Sequence, residues 1–230
     1  MDIEGHSLIP KKRFRVNGIT YYYRLGKLQA CASKRKSRKK KEKKDKDGNI
    51  IPYRTANQQA NNSKFKNARY LFSYIHKWVL QDLPIWKIAA SELNMTDDNL
   101  IQSVNYKYLA PDGGIQDIEE FNISTGNLSL PLDMQVSRER LHVTITWDDP
   151  RDQQSARPTD QLMVAVLYAD EELRDSITMY KETGATRSDK RCVIDLPDQT
   201  RGNICIHPFF AREDLTDFSK DKHFMLTGEN

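Results

Sequence analysis

The sequence predicts an α+β protein: an N-terminal β-hairpin and a helical segment, followed by an immunoglobulin-like antiparallel β-sandwich. Two patterns carry this prediction. Apolar residues recur at helical spacing between residues 65 and 79, and after about residue 120 they alternate with polar residues at a period of two. We therefore expect the N-terminal hairpin and a basic low-complexity arm in residues 1–54, the helical segment in 55–120 and the sandwich in 121–230.

The hairpin is predicted from residues 19–33. Residues 19–24 are rich in strand-forming side chains, residues 25–27 supply a turn, and residues 28–33 return as the second strand. A lone hairpin is marginally stable in water, so we expect it to pack against another part of the chain. Residues 1–15 are of mixed character, and we expect them to be loosely ordered.

Three helices are predicted between residues 55 and 109. Thr55 with Gln58 three residues later fits a capping box at the start of the first helix, and Pro84 should stop or kink it. A short second helix follows Pro84. Thr96, followed by two aspartates, fits the start of a third helix that runs to about Leu109. The apolar stripe of the first helix consists of Phe65, Ala68, Leu71, Phe72, Ile75, Trp78 and Val79.

The C-terminal half consists of short strands separated by turn residues. Six strand segments are predicted at residues 140–149, 160–170, 176–184, 190–197, 203–210 and 222–228. The second segment is apolar on both faces, as in a central strand, and a series of short strands favours an immunoglobulin-like sandwich. The disulfide framework of antibody domains is absent, because Trp147 precedes both Cys192 and Cys205. We interpret the three tryptophans as core anchors: Trp78, Trp86 and Trp147.

An ordered series of short motifs runs along most of the chain. It contains the hairpin YYYRLGKLQACASKRK, the helix start at Thr55 and Gln58, and a C-terminal group. The C-terminal group consists of Gly184, Ala185, Arg187, Leu196, Pro197 and Gly202. From about residue 17 to residue 228, the series resembles a family of short Bacteroidota proteins of unknown function. The resemblance implies an N-terminal hairpin, helices and an immunoglobulin-like C-terminal half. Because that family has no assigned activity, the resemblance implies no site residues.

The strongest functional signal is a basic run between Lys34 and Lys46. It holds ten cationic residues and two acids, a net charge of +8 in a chain whose total is +4, which leaves −4 for the remaining residues. The candidate nucleic-acid-binding residues are Lys34, Arg35, Lys36, Arg38, Lys39, Lys40, Lys41, Lys43, Lys44 and Lys46. Lysines neutralise phosphates without reading bases, so such binding would be non-specific and sensitive to salt.

Four tyrosines flank the basic run: Tyr21, Tyr22, Tyr23 and Tyr53. Two or three of them could stack on bases beside the charged arm, or they could pack the hairpin against the helices instead. The run itself has three open interpretations: contact with nucleic acid, a solvated loop or an arm for an acidic protein partner, and contact with an anionic membrane. The membrane is disfavoured because the run has no amphipathic face or lipid anchor.

We expect a non-enzymatic structural or interaction protein whose basic arm touches an anionic partner. The partner would be an unknown protein or a second copy of the chain. The alternative is a non-specific accessory protein that binds DNA or RNA through the basic run. No glycine-rich phosphate loop, nucleophile elbow or H-E-x-x-H motif is present, so we predict no enzyme, no cofactor and no catalytic residue.

No metal site is predicted from the sequence. The histidines are scattered: His6, His76, His142, His207 and His223. We expect His142 to point outward from a strand, and Asp148 and Asp149 to belong to a turn before Pro150, with cation binding as the alternative.

The cysteines show no metal-binding spacing: Cys31, Cys192 and Cys205. We interpret Cys192 and Cys205 as small buried hydrophobic residues, ahead of a disulfide or a reactive role. The sequence has no apolar run of about 18 residues and no secretory signal, so we expect no membrane span and a cytoplasmic location.

Overall fold

The chain forms two compact units, residues 1–55 and residues 56–230. The structure is a computed structural model that describes residues 13–16, 19–24, 27–32, 46–47, 55–81, 83–148, 155–169, 177–197, 200 and 202–228. Among these residues, no helix combines the length and the apolar character needed to cross a bilayer.

The first unit contains a three-stranded antiparallel sheet in the order β1-β2-β3. Its strands are β1 (Arg13–Val16), β2 (Ile19–Arg24) and β3 (Lys27–Ala32). The predicted hairpin is confirmed as β2 and β3. The expectation that residues 1–15 are loosely ordered is wrong for residues 13–15, which pair with residues 20–22 of β2. Because Arg-Phe-Arg-Val alternates between polar and apolar residues, it matches a strand and pairs with the free edge of β2.

The second unit begins with helices. They are α1 (Ala56–Tyr74), a π-type turn (Ile75–Val79), α2 (Ile85–Glu92), α3 (Asp97–Asn105) and a 3-10 turn (Tyr106–Tyr108). The predicted start of α3 is confirmed, because the Thr96 hydroxyl accepts a hydrogen bond from the Asn99 N–H at 3.4 Å. The helix and the 3-10 turn together end one residue before the predicted end at Leu109.

Two antiparallel sheets follow the helices. Their strands are β4 (Gln135–Glu139), β5 (His142–Thr146), β6 (Gln161–Tyr168), β7 (Ile177–Tyr180), β8 (Arg191–Asp195), β9 (Ile204–Ala211) and β10 (Phe224–Leu226). One sheet has the order β10-β9-β6-β7 and the other has the order β4-β5-β8. Sequence reasoning did not predict β4, since Gln-Val-Ser-Arg-Glu has a single apolar residue.

The four-stranded sheet lies between two cores. Met163, Ala165 and Leu167 of β6 belong to a core shared with the helices. Leu162, Val164 and Val166 belong to a second core shared with the three-stranded sheet. β9 alternates in the same way, so the layers are helices, four-stranded sheet and three-stranded sheet. The α+β class is confirmed, and the immunoglobulin-like assignment of the two sheets stays a prediction.

Two of the three tryptophans are core anchors, as predicted. Trp86 is 1% exposed and its indole N–H donates to the Ile123 carbonyl at 3.1 Å. Trp147 is 3% exposed and donates to the Arg187 carbonyl at 2.9 Å. The interpretation of Trp78 as a core anchor is wrong, because this residue is 60% exposed.

The two cysteines of the C-terminal half are buried and free, as predicted. They lie in different sheets and face different cores. Cys192 of β8 faces the core between the two sheets, and Cys205 of β9 faces the core shared with the helices. Burial raises the pKa of the Cys205 thiol to about 12 and also raises the pKa of Cys192. Both thiols therefore stay protonated near neutral pH and pack as small apolar groups. Cys31 is exposed.

A buried ion-pair network joins the sheets. It includes Arg187, a member of the C-terminal motif group. The Arg187 guanidinium lies 3.4 Å from the Asp160 carboxylate, 4.4 Å from the centre of the Phe210 ring, and donates to the Ser129 carbonyl. The Asp160 carboxylate also accepts from Arg212 at 3.3 Å. Asp160 is 1% exposed and Arg187 is 3% exposed, so neither charge can be solvated by water if its partner is lost.

We predict that Arg187→Ala lowers the free energy of unfolding by about 3–5 kcal/mol, because the buried Asp160 carboxylate loses one of its two cationic partners. The matched control is Lys190→Ala, which breaks the exposed Lys190–Asp148 pair (2.8 Å) and should cost less than about 1 kcal/mol. Urea denaturation of both variants measures the difference. Equal, small losses in the two variants would contradict a structural role for the buried network.

Candidate functional site

The predicted nucleic-acid-binding run lies almost wholly outside the described residues. Only Lys46 is described, and it is exposed in a turn. Tyr21 and Tyr22 of β2 are half-buried, while Tyr53 and the side chain of Tyr23 lie outside the described residues. Nucleic-acid binding by the run therefore stays a prediction. The basic surface that the structure does describe is on α1.

The first helix carries cations and no acids. No aspartate or glutamate occurs between Asp47 and Asp82 in the sequence, a stretch that includes all of α1 and its π-type turn. Lys66, Arg69 and Lys77 are exposed. They face outward because the other side of the helix is buried against the four-stranded sheet and the other helices, through Ala68, Leu71, Phe72, Ile75 and Val79. Phe65, which the sequence pattern placed in the same apolar stripe, is 46% exposed.

Four lysines of this region lie over aromatic rings. The distances from ammonium to ring centre are 4.9 Å for Lys64–Tyr106, 5.9 Å for Lys66–Tyr70, 4.9 Å for Lys77–Trp78 and 4.4 Å for Lys107–Tyr108. We call the two exposed pairs on α1 and its π-type turn, Lys66–Tyr70 and Lys77–Trp78, the lysine–aromatic face. The hydrogen bond to the Tyr108 side chain raises the pKa of Lys107, so this lysine stays charged. In each pair of the face, a cation and an exposed ring lie side by side.

Trp78 is exposed because α1 continues into a wider turn. The Leu80 N–H donates to the Ile75 carbonyl at 2.8 Å, five residues back rather than the four of an α-helix. The extra residue rotates Trp78 away from the stripe to which Leu71 and Ile75 belong. Counting at a constant 3.6-residue period cannot detect this turn, so the sequence pattern placed Trp78 in the core. π-Type turns are often found at functional sites.

A groove with a volume of about 500 Å³ borders Tyr70. Its opposite wall is the loop after α3, which approaches α1 closely: the Asn67 side-chain amide donates to the Asp112 carbonyl at 2.8 Å. Gly113 has a φ of +94°, and a Cβ there would lie 2.3 Å from the Asn67 Cβ. Only glycine fits this contact, so the wall of the groove depends on it.

Acidic groups limit the positive charge on the other side of the helix. Arg69 shares a smaller groove with Asp98, and His76 lies 3.9 Å from Asp97. Lys66 and Lys77, each beside an exposed ring, are therefore the cations that best represent the lysine–aromatic face.

A separate cluster brings together His207, Asp221 and His223, which sequence reasoning missed. The Asp221 carboxylate lies 2.9 Å from His207 Nδ1 and 3.6 Å from His223 Nε2. The side chains of His207 and Asp221 are fully buried, and the side chain of His223 is about one-fifth exposed. The only sequence signal is Asp-x-His at 221–223, because residues two apart in an extended segment point to the same side.

Opposing effects set the pKa values in this cluster. Burial lowers the pKa of His207 and outweighs the Asp221 carboxylate. Burial also disfavours the charged form of His223, but the Asp221 carboxylate 3.6 Å from its Nε2 raises the pKa of His223 overall. For Asp221, the two histidines outweigh burial and hold the pKa of the carboxyl below its ordinary value. Asp221 is therefore an anion at neutral pH.

The remaining polar candidates lie elsewhere. His142 points outward from β5, as predicted, and its Nδ1 lies 2.6 Å from an Asp195 oxygen. Asp148 is exposed and accepts from Lys190, and Asp149 lies outside the described residues. Neither His142 nor Asp148 is brought to the lysine–aromatic face or to the His207, Asp221 and His223 cluster.

Comparison with known proteins identifies one family. The sequence profile of DUF6266, a family of unknown function, matches residues 43–221. The chain has no match among the curated proteins with which it was compared.

We predict that Trp78→Ala changes the free energy of unfolding by less than about 1 kcal/mol, because the side chain is exposed. Trp86→Ala, the matched control in the helical core, should cost about 3–5 kcal/mol. Chemical denaturation of the two variants measures both values. A large loss for Trp78→Ala would mean that this ring is a core anchor after all.

Proposed function

Since the chain belongs to DUF6266, a family of unknown function, we propose a function from the geometry of the second unit. The protein is a non-enzymatic interaction protein that binds an anionic partner, and single-stranded nucleic acid is the partner that fits best. The observation that carries this proposal is the lysine–aromatic face on an acid-free helix.

Single strands present the two chemistries that this face complements. Their phosphates attract lysine ammonium groups, and their unstacked bases can lie on aromatic rings. Tyr70 is 66% exposed and Trp78 is 60% exposed, so both rings are accessible, and each has a lysine beside it. In a duplex the bases are already stacked, so exposed rings would add little. The proposal therefore favours single strands over duplexes.

The basic run would add phosphate contacts to those of α1. Ten cations within thirteen residues would bind phosphates without sequence preference. We place this activity in the cytoplasm. An acidic protein is the alternative partner, because it would use the same lysines but would not require the exposed rings.

The test is fluorescence anisotropy of a labelled oligothymidylate single strand and of a duplex of equal length, over a range of salt concentrations. We expect Lys66→Ala/Lys77→Ala to reduce the magnitude of the log–log salt slope by about 1.4, since each phosphate contact on a single strand contributes about 0.7. The matched control, Lys190→Ala/Arg191→Ala, removes two exposed cations at the start of β8 and should leave the slope unchanged.

Two further variants separate the contributions. Tyr70→Ala/Trp78→Ala should weaken single-strand binding by about 1–3 kcal/mol for each base that loses its ring, and should leave the salt slope nearly unchanged. Deletion of residues 34–46 should reduce the slope further. If the intact protein binds neither oligonucleotide near physiological salt, the proposal is wrong. If binding is unaffected by the α1 variants and is lost when residues 34–46 are deleted, the binding site is the basic run, and the lysine–aromatic face has no part in it.

A further inference from the structure

The His207, Asp221 and His223 cluster is positioned by two strands of the four-stranded sheet. His207 lies on β9 and points to the helical side, and Asp221 and His223 lie just before β10. The segment that precedes the sheets covers the cluster: the Ile123 N–H donates to Asp221 Oδ2 at 2.9 Å. The cluster is therefore built from three parts of the chain, with no contribution from the lysine–aromatic face.

Three buried polar atoms in this cluster have no hydrogen-bond partner of ordinary geometry among the described residues. They are His207 Nε2, Asp221 Oδ1 and His223 Nε2. Buried polar atoms are satisfied in the large majority of cases, so three such atoms in one cluster require an explanation. If the network served only to hold Ile123 against β9, it would explain the hydrogen bonds of Asp221 Oδ2 and His207 Nδ1. It would not explain why Asp221 Oδ1 and His223 Nε2 are buried without hydrogen bonds.

One backbone group supports the carboxylate of this cluster as it would beside a metal ion. A carboxylate that ligates a metal is itself hydrogen-bonded. The Ile123 N–H supplies that bond to Asp221.

We propose that His207, Asp221 and His223 form a binding site for a divalent transition metal ion, of which zinc has the best-matched ligand preference. One ligand atom from each residue lies within 4.8 Å of the other two. In tetrahedral zinc sites with bonds of about 2.0–2.2 Å, the ligand atoms are roughly 3.3–3.5 Å apart. Distances of up to 4.8 Å therefore close by up to about 1.4 Å on binding, while the 2.9 Å contact between His207 Nδ1 and Asp221 Oδ2 lengthens slightly. His223, which is partly exposed, is the ligand that moves.

A cavity of about 400 Å³ borders the cluster on the side of Asp221 and His223. Glu119, Glu120, Lys222 and Met225 line it together with Asp221 and His223. Three protein ligands beside an open cavity leave one position for water or for a glutamate carboxylate. The acidic wall also favours entry of a cation over an anion.

The test is titration of the metal-free chain with zinc by calorimetry, and with cobalt by visible absorption, which reports the coordination number. We expect one ion per chain. His223→Gln removes a partly exposed ligand and should weaken zinc binding by more than about 100-fold, the upper end of the loss seen when only a supporting contact is removed. Asp221→Asn should have an effect at least as large.

The matched control is His142→Gln, which alters an exposed histidine–aspartate pair and should leave zinc affinity unchanged. Zinc should also raise the melting temperature of the unaltered protein and of His142→Gln, but not that of His223→Gln, with circular dichroism confirming that each variant is folded. Absence of stoichiometric zinc binding overturns the proposal. Zinc affinity that is equal in His223→Gln and in the unaltered protein overturns it as well.

Discussion

Burial of β6 and β9 on both faces is the constraint on which the rest of the second unit depends. Odd-numbered residues of these strands pack on the helices, and even-numbered residues pack on β5 and β8. Both strands are apolar at nearly every position and lie at the centre of their sheet. Because apolar area removed from water is the main source of folding stability, neither outer layer can be lost without exposing one face of this sheet.

The same constraint places both candidate sites. The stripe of α1 is held against the four-stranded sheet, so the lysines and rings at the other positions of the helix face solvent. His207 lies on the helical side of β9 at a fully buried position, where it contacts Asp221, and the Ile123 N–H donates to the same Asp221 carboxylate. A surface site and a buried site thus arise from opposite sides of one helical layer.

The sequence predicts the parts of this fold that depend on regular periodicity. The doubly apolar pattern of β6 identifies it as a central strand, and the stripe of α1 identifies its buried face, because each pattern follows from repeated local geometry. β4 was missed because its only apolar residue gives no alternation, and Trp78 was misplaced because a π-type turn changes the period. The His207 and Asp221 contact was missed for a different reason: it depends on how β9 and β10 pair, which residue spacing does not encode. The basic run is evident from charge alone, but charge does not identify its partner.

Hydrogen exchange tests the central constraint most directly. In the unaltered protein, at increasing sub-denaturing urea concentrations, the slowest amides of α1, α2, β5 and β8 should converge on one opening free energy, the same as that of β6 and β9. This result is expected if the two cores share one sheet and unfold together. If the helical amides exchange through an opening that leaves β5 and β8 protected, the helical layer unfolds independently, and the doubly buried sheet is not what holds the layers together.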